Sequence, residues 1–75
     1  MPKLPSLNYR KVTKKLSKAG FVLRRQGKGS HEIWKHPITR RTTSVPNHGG
    51  KNIPTGTLKE IIKQAGLSVE EFLEL

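Results

Sequence analysis

"FVLRRQGKGSHEIWKH", residues Phe21 to His36, decides how the chain folds. "FVLRRQ" (21–26) opens on one aromatic and two apolar side chains, which suit a pleated, half-buried surface. "SHEIWKH" (30–36) reads as a second strand. The "GKG" between them supplies the positive φ that tight turns need, so the pair predicts an antiparallel hairpin. Within the second strand, Trp34 alternates with Ser30, Glu32 and His36, while Ile33 alternates with His31. One of these two faces turns to the core, and alternation alone does not choose between them.

Upstream, Asn8 is placed to cap a helix in which Tyr9, Val12, Leu16 and Ala19 recur at spacings of three, four and three. Gly20 suits the left-handed position that ends it, so a helix is predicted over 8–19. Downstream, "PITRR" (37–41) makes a turn and the β-branched run "TTSV" (42–45) a third strand. "PNHGGKNIP" (46–54) is too rich in Pro, Gly and Asn for either regular state. Leu58, Ile61, Ile62 and Ala65 then fall at i, i+3, i+4 and i+7, predicting a helix over 56–65 with Thr55 as its cap and Gly66 as its stop. Ser68 and Glu71 form a capping box for a short last helix over 69–74.

Composition limits what such a chain can do. Seventy-five residues make one small domain, expected to span 1–75, that buries roughly 60% of its unfolded surface and leaves no room for a deep substrate cavity. The absence of cysteine rules out a disulfide framework and a thiolate zinc site, and fits a reducing cytoplasm. No apolar run is long enough for a signal peptide or a membrane span. Fifteen Lys and Arg oppose five Asp and Glu, and their distribution matters more than the total. Residues 1–57 hold thirteen of the bases and a single acid, Glu32. A field so one-sided attracts polyanions, and nucleic acid is the commonest of these.

Helix, three antiparallel strands and helix is the α+β order of double-stranded-RNA-binding domains, with both helices on one face of the sheet. Order alone says little about function. The residues say more: Gly20-Phe21, Arg24-Arg25, Gly29-Ser30-His31, Val45-Pro46-Asn47-His48 and the stretch from Thr57 to Gly66 occur in sequence along nearly the whole chain. Together they resemble the HicA family of toxin ribonucleases. The resemblance implies an mRNA interferase of a type II toxin–antitoxin system: an endoribonuclease with one essential histidine, matched here by His31, and held inactive by a HicB-type antitoxin.

The remaining roles follow from the chemistry of RNA. Its 2′-OH is a built-in nucleophile, so an imidazole that accepts that proton is enough to start cleavage, and no metal or other cofactor is required in principle. Cations beside the phosphate then stabilise developing charge. Arg24, Arg25 and Lys28 are candidates for this, with Gly29, Ser30, Lys35 and Lys51 as further RNA-contacting positions. His48 is either a second acid/base or a group that ties down its own loop, and His36, before Pro37, suits a turn. The three histidines are separated by four and eleven residues with no Cys or Asp among them, which points away from a metal site. Two other classes use the same basic surface: a non-catalytic RNA-binding module and a basic protein-interaction adaptor.

Overall fold

The computed structural model describes residues 4–75; residues 1–3, within the expected domain, lie outside the described part. The chain runs α1 (Tyr9–Lys18), β1 (Val22–Gln26), β2 (His31–Lys35), β3 (Thr42–Pro46), α2 (Thr55–Gln64) and α3 (Val69–Leu73). The strands form one antiparallel sheet in the order β1-β2-β3. This is the expected α+β, double-stranded-RNA-binding-like arrangement, with every element end within one residue of the predicted one.

Local chemistry sets the helix ends. The Asn8 side chain accepts from the Lys11 N–H at 3.0 Å and starts α1. At the other end Gly20, at φ +100°, donates to Ser17 O and Phe21 donates to Leu16 O, closing a Schellman motif. Gly66, at φ +77°, ends α2 in the same way through Lys63 O and Leu67 N. Ser68 and Glu71 complete their capping box, and Ser68 holds the Glu71 carboxyl below the usual range by hydrogen-bonding its charged form. Thr55 does not cap α2 as predicted. Pro54, whose ring fixes φ at −55° with ψ extended, occupies the N-cap and pushes Thr55 into the first turn.

Trp34 faces the helices and Ile33 faces out. The core gathers Val12 and Leu16 of α1, Trp34, Val45, Leu58, Ile61 and Ile62 of α2, and Phe72. The inward face of β2 therefore also carries Glu32, which is only 7% exposed. A buried carboxylate needs partners. Tyr9 Oη donates to Glu32 Oε1, and Asn47 Nδ2 donates to Oε2 at 3.4 Å. Burial, followed by the bond and the charge of Glu32, pushes the Tyr9 phenol up to about 12.

β1 departs from the half-buried strand read in the sequence: every one of its residues is exposed, Val22 at 47% and Leu23 at 50%. Only Phe21, just before the strand, reaches the core. Both helices contact β3 across the sheet, which leaves β1 as an uncovered edge. A bulge between Leu23 and Arg25 breaks its pairing with β2.

Candidate active site

His31 is the first residue of β2 and is exposed. Its register partner is Pro46, and Ile33 pairs with Ser44, so Ser44 sits diagonally from His31 on the outward face. His31 Nδ1 and Ser44 Oγ lie 3.1 Å apart. That contact fixes the ring plane and leaves Nε2 free.

The loop after β3 brings in the second histidine. Asn47 N–H donates to Ser30 O at 2.8 Å, its side chain reaches Glu32, and His48 Nε2 lies 3.0 Å from Ser30 Oγ. Two neighbouring residues at the start of β2 thus serve both rings: Ser30 anchors His48, and His31 projects beside it. A cavity of about 380 Å³ is lined by both histidines together with Lys51, Pro54 and Thr57. A second hollow of about 350 Å³ passes from His31 and Ser44 to Gly56, Thr57 and Glu60 of α2.

The first turn of α2 therefore borders His31. No side chain caps it, because proline holds the N-cap position. The opening N–H groups of a helix have no intrahelical partners and carry its partial positive charge. Uncapped and next to a cavity, they suit a phosphate.

Of the residues named from sequence, Ser30, His31, His48 and Lys51 come together at this end of the sheet. Lys28 and Gly29 lie in the exposed β1–β2 turn, Gly29 at φ +60° with open space beside it. Arg24 lines a different hollow with Lys35, and Arg25 pairs with Ile33 on the outward face. None of these four cations lines the His31 cavities. His36 stands at the far end of β2, where Nδ1 accepts from the N–H groups of Ile38 and Thr39 and the ring meets Phe21 edge-on at 5.3 Å. Sequence reasoning missed Ser44, Thr57 and the α2 terminus. Strand register was the only signal for Ser44, and the proline before Thr55 the only one for the open helix end.

Fold and site together define a small basic protein that presents two serine-held histidines beside an uncapped helix terminus on a double-stranded-RNA-binding-like frame. A family model described as HicA toxin of bacterial toxin–antitoxin matches residues 9–67, and the chain belongs to this family. It is 42% identical over 50 residues to a probable mRNA interferase HicA of Pseudomonas fluorescens (strain Pf0-1), an alignment covering 67% of this chain and 80% of that relative. Among the described residues, no helix is long and apolar enough to cross a membrane.

Proposed function

We propose that this chain is the toxin of a toxin–antitoxin pair and an endoribonuclease that cleaves mRNA without a metal, with His31 as its catalytic residue. The observation that carries the reading is the convergence of His31, His48, Lys51 and the open end of α2 on one cavity. In the tautomer whose Nδ1–H donates to Ser44 Oγ across the 3.1 Å contact, His31 Nε2 holds a lone pair and accepts the 2′-OH proton. The 2′ oxygen attacks the adjacent phosphorus and the bond to the 5′ oxygen breaks. His48 donates a proton to that leaving oxygen. The products are a 2′,3′-cyclic phosphate and a 5′-hydroxyl.

Charge accumulating on the non-bridging oxygens meets the Lys51 ammonium and the first-turn N–H groups of α2, which are already oriented. In this reading the protein works in the cytoplasm, and a HicB-type antitoxin silences it by laying an acidic face over His31 and Lys51.

The test is cleavage of a labelled RNA in EDTA by the parent and by His31→Ala, with the product ends identified. The parent should leave cyclic or 3′-phosphate ends, and the variant should lose roughly 10² to 10⁴ in rate while melting like the parent. Equal cleavage by both would remove His31 from the chemistry. No cleavage by either would leave a binding module.

A further inference from the structure

A second concavity lies on the outward face of the sheet at the end away from His31. It measures about 230 Å³ and is lined by Val22, Arg24, Lys35, Pro37 and Arg40. Three of these five residues are cations and none is an acid. The bulge in β1 contributes directly. Leu23 pairs with Trp34 and Arg25 with Ile33, so Arg24 is the extra, unpaired residue, and it joins Val22 and Lys35 in the hollow. Bulges re-aim side chains in this way.

Arg40 arrives by an equally unusual route. It sits at φ +68°, the one non-glycine residue with positive φ among those described, and donates its N–H to His36 O at 2.9 Å. Glycine or asparagine suits that position of a turn far better than arginine. Two backbone irregularities, one in a strand and one in a turn, thus deliver guanidinium groups to the same hollow.

We propose that this hollow is a second RNA subsite that binds a backbone phosphate several nucleotides from the scissile one. The proposal rests on the endoribonuclease reading for its ligand and extends it by naming where the chain of the substrate runs. Lys35 lies four residues along β2 from His31 on the same face, roughly 13 Å at the rise of a strand. One strand thus links both subsites. An ionic ligand fits the hollow better than an apolar one. Val22 and Leu23 are consecutive on a strand and point to opposite faces, so these two exposed side chains do not merge into one patch.

The test pairs Arg24→Gln/Arg40→Gln with two substrates, a dinucleotide and a long single-stranded RNA. For the long RNA the KM should rise roughly tenfold at unchanged kcat, while dinucleotide cleavage stays as in the parent. Equilibrium binding of the long RNA, measured in a His31→Ala background, should show a log–log salt slope shallower by about 0.7 for each phosphate that is no longer neutralised. That second measurement stands even if the parent cleaves nothing, so the subsite and the cleavage reading fail separately.

Arg40→Gly guards against misfolding, since it removes the charge and suits the turn. It should melt no lower than the parent yet bind the long RNA more weakly. Unchanged KM and salt slope in the double variant would overturn the proposal. So would a loss confined to antitoxin binding, which would make the hollow a protein-docking site.

Discussion

β1 and β3 are both five-residue strands paired to the same central β2, and they have opposite fates. β3 buries Thr43, Val45 and Pro46, and its outer edge is met by α2: Gln64 Oε1 accepts from Thr43 Oγ1 at 3.0 Å and from Ser44 N–H at 3.4 Å. β1 buries nothing, and neither of the helices that pack on β3 packs on it to a comparable extent. Edge strands invite unwanted pairing, and the molecule manages its two edges by different devices. One is covered by a helix whose first turn also borders the candidate active site. The other is broken by a bulge and loaded with arginine.

The contrast can be tested where it is sharpest. Val45→Ala removes methyl groups from a fully buried site and should cost about 2 kcal/mol, whereas Val22→Ala in β1 should stay within about 0.5 kcal/mol; paired denaturant melts compare them directly. Equal losses would mean that β1 is covered in solution. Ser44→Ala keeps β3 intact but frees the His31 ring, so cleavage should slow roughly tenfold with no change in melting temperature. An unchanged rate would show that Ser44 does not position the ring.

Gln64→Ala uncovers the β3 edge and should cost about 1 kcal/mol in the same melts, with faster hydrogen exchange at Ser44 N–H. The smallest effect is confined to alkaline solution. The Tyr9 phenol titrates near 12 in the fold against an ordinary 10.0, so its contribution to stability is complete below pH about 10 and fades as the pH rises through 12. The difference in stability between the parent and Tyr9→Phe should therefore shrink across that window. A difference that stays flat would deny the upward shift that burial and Glu32 together give the phenol.

The helices were legible because their signals are local: a 3.6-residue apolar period with Asn8, Gly20 and Gly66 at the ends. The strands were legible as β-forming runs, and so was the hairpin between the first two. The inward face of β2 was not, because the choice sets Trp34 with Glu32 against Ile33 with His31. Burying Trp34 obliges the fold to bury an acid too, and its partners Tyr9 and Asn47 lie 23 and 15 residues away. The exposure of β1 was illegible for a similar reason. "FVL" reads as half-buried wherever it occurs, and only the placement of both helices toward β3 leaves it bare.

The candidate site divides along the same line. Ser30-His31 and the loop of His48 announced themselves as residue types, but Arg24, Arg25 and Lys28, near in sequence, do not line the His31 cavities in space. The positive end of α2 stands there instead. A helix terminus leaves no trace in the pattern of charged residues.

The two glycine stops have an electrical corollary. A Cβ on Gly20 would lie 2.7 Å from His36 Nε2, and one on Gly66 would lie 2.5 Å from Arg41 Nε. The residues on either side of the Pro37–Arg40 turn are therefore seated on the C-terminal ends of α1 and α2, where the partial charge is negative. At the other end of the sheet, the first turn of α2 offers the opposite sign to His31. The helix works as a small battery laid across the sheet, with a permanent cation, Arg41, at its negative pole and its positive pole left open to solution.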